Sequence, residues 1–365
     1  MQVLVANAGS SSLKLRILDG EDDVVAGRDL GRLDGSELEG ALVGFLADSP
    51  PFDAIGHRVV HGGSVFETPV RLDRDVAVTL RTLTDLAPLH NPPALAVIDV
   101  LGRLRPDLPH VCCFDTAFHA GMPSAASTYA VPRSWRERWA LRRYGFHGLS
   151  HSWASRRAGE LLGASRGELR LVTAHLGAGG SLAAVAFGRS VDTTMGFTPL
   201  EGLVMATRSG SIDPGLLLFV QRHGGMTPDE MERVLEHESG LLGLSGSSGD
   251  LRDVIASADR GDADARLAYD VYVLRIRTAV GAMTASMDGI DALVFTGGAG
   301  EASARLRADV CRGLRHLAVV LDTSTNDDLS EDGVISQPES GTAVVVVVAR
   351  EDREIASAVR TLLAP

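Results

Sequence analysis

VLVANAGSSSLKLRIL, residues 3–18, reads as strand, tight turn, strand. VLVA (3–6) is an unbroken apolar run, residues 7–12 are small and polar, and residues 13–18 alternate in character. LVTAHLGAGGSLAAVAF, residues 171–187, repeats the plan. Apolar strand, polar residue, small-residue turn, Ser-Leu and apolar strand recur about half a chain apart, which points to two related domains, each opening with a hairpin. Successive N–H groups in such turns form anion-binding concavities, and glycine lets the backbone approach an anion closely. His175, Gly177 and Gly179 belong to the second turn. A third, Gly297-Gly298-Ala299-Gly300, follows the apolar strand ALVFT (292–296). None is a Walker loop, because G-x-x-x-x-G-K-[ST] does not occur, and a plain tight turn is the alternative for each.

Outward from these hairpins, strands and helices alternate, which defines an α/β architecture. Residues 54–60 and 110–114 read as buried strands, and 93–104 and 150–162 as helices, the latter behind a Ser150 cap. Residues 263–287 are the longest helix candidate, 342–348 a valine-rich strand and 352–363 a closing helix. Residues 321–341, rich in Ser, Asp and Glu, read as an exposed loop and hairpin.

At 365 residues the chain exceeds one ordinary core, so two domains are expected. The net charge of -12 and a pI near 5.4 exclude a nucleic-acid or anionic-membrane partner, which needs a basic face. Cys112, Cys113 and Cys311 form no disulfide framework. The first residues lack the basic and long apolar regions of a signal peptide, and the longest apolar run, 343–349, is too short to span a bilayer. The expected location is cytoplasmic. Lys14 is the only lysine in a chain whose other basic residues are arginine. A compact ammonium kept in a Gly/Ser loop suits a tight anion site that a planar guanidinium does not fit.

Phosphoryl transfer needs amide cradles, metal-binding carboxylates, cations on the transferred group and a positioned acceptor. Arg58, in HRVVHGG (57–63), directly follows a strand, and Arg208, in TRSG (207–210), lies between small residues. Either can be aimed bidentately at phosphate or carboxylate; a solvated surface role is the alternative. Asp115 just past the run 111–114 and Glu351 just past the valine strand are placed to hold magnesium, with a helix N-cap as the other reading of Asp115. His147 can donate to a transferring phosphoryl group, or be a satisfied buried histidine; His151 reads as a helix-face residue. Metal-type His/Cys clustering is absent from the sequence.

Together, NAGSSSLK (7–14), HRVVHGG (57–63), HNPP (90–93), FDTAFH (114–119), RYGFHGLSH (143–151), HLGAGGS (175–181), MGFTPLEG (195–202), TRSGSIDPG (207–215), SGDLRD (248–253) and FTGGAGE (295–301) resemble the motifs of the acetate kinase family, in order and over nearly the whole chain. The resemblance implies duplicated ribonuclease-H-like domains of the actin and hexokinase superfamily with a cleft between them. The first domain would be 1–119 plus the returning closing helix 353–365, and the second 120–352. It implies reversible, magnesium-dependent (or manganese-dependent) transfer of the γ-phosphoryl group of ATP to acetate, and a homodimer. By family roles, Arg58, Asp115, His147 and Arg208 are catalytic, and Asn7, Asp115 and Glu351 organise the metal. Ser10, Ser12 and Lys14 line the phosphate path. Val60, Leu89, Phe146 and Pro199 form the acyl pocket. Asp250, Leu251, Arg252, Gly298 and Ala299 form the adenosine pocket.

Four positions depart from the family pattern: Ala178 and Ala302 stand where asparagine is usual, Ser211 where aspartate is, and Ala206 where glycine is. They bear on the choice and affinity of the donor. Other readings are a propionate or butyrate kinase, a donor such as pyrophosphate, or a non-catalytic nucleotide-binding switch of actin-like fold. The acceptor-side arginine argues against the last.

Overall fold

The computed structural model describes residues 1–9, 12–31, 33, 35–88 and 90–364, without the side chains of residues 85 and 166. Ser10 and Leu89 therefore lie outside the described residues.

Among the described residues the strands form two six-stranded sheets of one topology. The first contains β1 (Val3–Ala8), β2 (Ser12–Leu18), β3 (Val24–Gly31), β4 (Ala54–Val59), β5 (Val70–Arg71) and β6 (His110–Phe114), in the order β3-β2-β1-β4-β6-β5. The second contains β7 (Arg170–Leu176), β8 (Gly180–Ala186), β9 (Arg189–Thr193), β10 (Ala292–Thr296), β11 (Gly333–Val334) and β12 (Ala343–Val346), in the order β9-β8-β7-β10-β12-β11 when traced from its meander. Each begins as an antiparallel meander, continues through two parallel pairs and ends on a two-residue antiparallel strand. Parallel strands covered on both faces must be apolar, and VLVA (3–6) and ALVF (292–295) meet that demand up to the polar residues at their C-terminal ends, Asn7 and Thr296. This is the expected α/β fold of two similar ribonuclease-H-like domains.

The chain divides into two compact units. The first comprises Met1–Ala120, Phe146–Trp153 and Arg350–Pro365, and the second Gly121–Gly145 and Ala154–Ala349. The segment Phe146–Trp153, which carries His147, thus lies in the first unit, whereas the sequence expectation assigns it to the second domain. Its anchor is Gly148, whose N–H donates to the Asp115 carbonyl at 3.0 Å. A Cβ at Gly148 would collide with that carbonyl, so the close approach requires glycine.

In the first unit, Leu38, Leu42 and Phe45 of helix Gly35–Ala47 and Ala94, Val97 and Leu101 of helix Asn91–Leu104 cover one face of the sheet. The closing helix Glu351–Leu363 covers the other with Ile355, Ala356 and Val359. Gly56 lets it approach, since a Cβ there would meet an Ile355 methyl at 2.5 Å. In the second unit, helix Ala263–Ala285 lays Tyr269, Tyr272, Val273, Ile276 and Val280 in the core. Each such buried side chain stabilises by about 1.5–3 kcal/mol before entropy is counted.

Three local expectations need correction. Ser150 is buried inside helix Gly148–Leu161 rather than capping it, because the chain turns at positive-φ His147 and Gly148 starts the helix. Residues 321–341 are not a simple exposed hairpin: they contain helix Thr323–Asp328, whose Asn326 is buried. Buried Arg307 donates from Nε to Asn326 Oδ1 at 2.8 Å and from Nη1 to the Gly300 carbonyl at 3.0 Å. Gly298-Ala299-Gly300 lie in helix Gly297–Ala302, not in an open turn.

Candidate active site

The ladders of the first sheet bring three strand ends together. Ala6 pairs with His57 and Val59 with Phe114, so Asn7, Arg58 and Asp115 emerge side by side. Arg58 grips the buried Asp115 carboxylate through Nε, 3.1 Å from both oxygens, and through Nη2, 2.6 Å from Oδ2. Its Nη1 donates to Asn7 Oδ1 at 3.1 Å and lies 3.9 Å from Glu351 Oε2. Asn7 Nδ2 in turn donates to Glu351 Oε2 at 2.6 Å. Glu351 is the first residue of the closing helix, so that helix delivers a carboxylate to the strand ends it packs behind.

His147 completes this cluster. Its φ of 56° is in the left-handed region, a strained state for a non-glycine residue, and its backbone N–H donates to the Asp115 carboxylate. Burial alone would lower the Arg58 guanidinium, but the Asp115 and Glu351 charges and the Asp115 hydrogen bonds raise it above its ordinary value. Burial pushes the Asp115 carboxyl up and Glu351 adds to this, against the pull of Arg58 and the His147 amide.

Val60 and Phe146 are both buried in the same unit, and the Phe146 ring meets His61 edge-on with centroids 5.3 Å apart. Asn91 fixes this turn, accepting from the His61 N–H at 3.1 Å and donating to its carbonyl at 3.2 Å. On the hairpin, Lys14 is exposed and pairs across the ladder with Asn7, while the Ser12 carbonyl accepts from Gly9 N–H at 2.8 Å.

The other expected residues lie in the second unit. Arg208 Nε is 2.9 Å from Glu236 Oε2, and its Nη1 donates to the Pro199 carbonyl at 3.3 Å, which brings Arg208 and Pro199 together. The Pro199 loop is held by Glu201, which accepts from Arg143 Nη2 at 2.7 Å and from the Tyr129 hydroxyl. Tyr129 also accepts from the Phe197 N–H at 2.8 Å.

The β7–β8 turn is tight: Gly177 N–H donates to the Gly179 carbonyl at 2.9 Å, so that amide is used within the turn. His175 pairs with Ser181 across the ladder and with Thr296 on β10. A Cβ at Gly297, whose φ is 77°, would meet the Leu176 backbone carbonyl at 2.9 Å, whereas Gly298 faces open space. Glu301 Oε1 accepts from Gly297 N–H at 2.8 Å and Ala349 N–H at 2.9 Å. Asp250 caps helix Leu251–Asp259 by accepting from Arg252 N–H at 2.9 Å, and its carboxyl is lowered by the hydrogen bond from the Arg252 side chain. Two departures from the motif pattern, Ala178 and Ala206, are joined by a backbone hydrogen bond of 3.0 Å. Ser211 accepts from the Gly202 N–H at 3.1 Å, a bond that closes the loop.

Sequence reasoning missed Glu236, Glu301 and Asn91 as supporting residues. Asn91 and Glu301 stood inside quoted motifs, but nothing in MERVLEHESG (231–240) distinguishes Glu236 from a solvated helix glutamate.

The first cluster fits a hard divalent cation in its donor set. Asp115 and Glu351 converge on one guanidinium, and magnesium takes one or two carboxylates with water and substrate phosphate completing its shell. Among the described residues no group of three His, Cys, Asp or Glu side chains forms an all-protein metal cage.

Fold and clusters define a duplicated α/β protein whose first sheet ends in a guanidinium–carboxylate network. The family model described as the Acetokinase family matches residues 43–357, and the chain belongs to that family. It is 42% identical to the acetate kinase of Thermotoga maritima over 391 aligned positions, covering 98% of this chain and 97% of that protein. Its fold superposes on Porphyromonas gingivalis acetate kinase with a TM-score of 0.92 at 37% identity, covering 99% of both chains. A propionate kinase from Francisella tularensis gives 0.90 at 34% identity, covering 98% of both.

Proposed function

We propose that this enzyme is an acetate kinase, transferring the γ-phosphoryl group of ATP to acetate to give acetyl phosphate and ADP, reversibly. The observation that carries the proposal is the cluster Asn7–Arg58–Asp115–His147–Glu351, a permanent cation set among metal-type carboxylates beside a buried apolar turn.

Acetate needs no general base, because a carboxylic acid with a pKa of about 4–5 is ionised at neutral pH. The enzyme must suppress repulsion between two anions, align them, and neutralise charge as it develops. Arg58 and Arg208 serve acceptor and phosphoryl group, and His147 donates to the group in flight. Transfer is direct and in line, without a phosphoenzyme. Asp115 and Glu351, with Asn7 beside them, would hold Mg2+ (Mn2+ in its place), which when bound neutralises phosphate charge. Ser10, Ser12 and Lys14 line the phosphate path, and Val60, Leu89, Phe146 and Pro199 take the acetate methyl group. His175, Gly177 and Gly179, with Gly298-Ala299-Gly300 and Asp250-Leu251-Arg252, take the nucleotide.

A homodimer is the expected assembly. Helix Pro214–Gly224 buries none of its residues, and Leu216, Leu218 and Phe219 are more than half exposed, a surface that a second copy would cover. The three cysteines are free and buried, in keeping with a cytoplasmic location.

The test is acyl phosphate formation, trapped with hydroxylamine, from Mg-ATP with acetate, propionate or butyrate. Product from acetate that disappears in Arg208→Ala is expected. A profile peaking at propionate or butyrate would reassign the acceptor, and no product from any acid would overturn the assignment.

A further inference from the structure

In the second unit, a buried glutamate stands beside the catalytic arginine with no packing role to explain it. Helix Pro228–His237 is mostly solvated, and Glu236 is its buried residue. Removing a carboxylate from water is costly unless a cation meets it with good geometry. Here Arg208 supplies the cation, with Nε 2.9 Å from Oε2, an ion-pair contact in which Oε2 accepts no hydrogen bond, and with side-chain exposures of 18% and 9% marking the pair as largely dry.

The backbone around the pair is equally committed. Thr207 Oγ1 donates to the Glu236 carbonyl at 2.7 Å, Ser209 N–H to the Leu235 carbonyl at 3.1 Å, and Ser239 N–H to the Thr207 carbonyl at 2.9 Å. Gly240, at φ 64°, lets the chain pass so near that a Cβ would collide with the Met205 carbonyl. The end of the helix therefore fixes where Arg208 starts, and Glu236 and the Pro199 carbonyl fix where its guanidinium points.

We propose that Glu236 is the positioning residue for Arg208 in phosphoryl transfer, holding the guanidinium in its working orientation before substrate arrives. This rests on the reaction proposed above. A free arginine side chain carries about 2 kcal/mol of rotamer entropy, and misplacing a catalytic group by 1 Å costs up to about 100-fold in rate. Because an oriented guanidinium matters most as charge develops, loss of Glu236 should appear in kcat more than in the KM for acetate or ATP.

The test is a double-mutant cycle on the full chain, with acetyl phosphate formation and thermal unfolding measured for each variant. Glu236→Ala is expected to lower kcat about 10- to 100-fold. Glu236→Gln, which keeps the side chain's shape and an oxygen beside Nε, should recover most of that loss. In the Arg208→Ala background neither substitution should matter further, because the residue acts through the arginine. The glutamine arm decides the cycle if the alanine variant fails to fold. An unchanged kcat in Glu236→Ala, or losses that multiply in the double variant, would overturn the role. Absence of acetyl phosphate from the unmutated enzyme would overturn the reaction itself and this role with it.

Discussion

The two sheets share one topology yet end differently at matching positions. Register aligns β1 with β7, β4 with β10 and β6 with β12, so Asn7 corresponds to His175, Arg58 to Thr296 and Asp115 to Ala349. The first sheet presents an amide, a guanidinium and a carboxylate tied into one network. The second presents an imidazole, a hydroxyl and a methyl group, followed by a glycine-rich helix start. A strand end is a precise but inexpensive place to vary, because its side chain leaves the sheet without disturbing the ladder. At these strand ends the two copies keep the scaffold, and only the first carries charge. The charged copy suits phosphate, metal and acceptor; the neutral copy, with room at Gly298, suits a nucleotide's bulk.

The largest expected effect comes from removing the cation. Arg58→Ala leaves Asp115 buried without its partner, a change worth about 3–5 kcal/mol of stability. It should also cut acetyl phosphate turnover by about 100-fold or more. Thermal unfolding and hydroxylamine trapping read both, and a variant as stable and active as the parent would remove the functional contrast between the sheets.

Acid should separate the units next. His57, His61, His110, His119 and His151 are buried, and all belong to the first unit. Burial pushes His119 down to about 4, against the backbone hydrogen bond to Phe146 that would raise it. A histidine whose folded pKa is depressed contributes stability above its unfolded pKa near 6.5, and that stability is lost as pH falls toward the folded value. For His119 the loss between about pH 6.5 and 4 is on the order of 3 kcal/mol. Hydrogen exchange across that window should show the first unit opening before the second, and His119→Asn should flatten the dependence. Simultaneous opening would contradict the assignment.

Glycine substitutions give smaller effects that are specific to one copy. Gly148→Ala forces a Cβ against the Asp115 carbonyl, and Gly297→Ala forces one against Leu176 at a positive φ. Each should cost about 1–3 kcal/mol. The first should depress turnover and the second nucleotide affinity; the reverse pattern would invert the division of labour. The smallest effect is expected at Thr296, whose Oγ1 is buried without a hydrogen-bond partner. Thr296→Val keeps the shape and relieves that desolvated hydroxyl, so it should raise stability by about 1 kcal/mol, read as a higher Tm. A lower Tm would show that the hydroxyl has a use in the folded protein.

Much of this was legible in the sequence, for identifiable reasons. Two hairpins with the same apolar–polar–glycine plan announced the duplication, since buried parallel strands and tight turns restrict composition strongly. Asp115 was legible because it directly follows an apolar strand, and Arg58 because it stands near the end of one, where geometry leaves little choice of direction. The partnership between them was not, because the ladder register that joins Val59 to Phe114 spans 55 residues and leaves no local mark. Helix starts at Gly148 and Gly297 were misread for a related reason: each depends on a close approach to a distant carbonyl. Buried charges were the least legible of all. Arg307 and Glu236 sit on helices whose sequences look solvated, and only the tertiary partners Asn326 and Arg208 explain them.

The central claim, that the charged ends of the first sheet are needed for the transfer but not for holding the nucleotide, is tested most directly by Asp115→Asn. Acetyl phosphate formation from Mg-ATP and acetate is measured beside ADP affinity in the absence of magnesium. The account predicts turnover reduced by about 100-fold or more with ADP affinity unchanged. Near-normal turnover, or ADP binding lost along with it, would contradict the account.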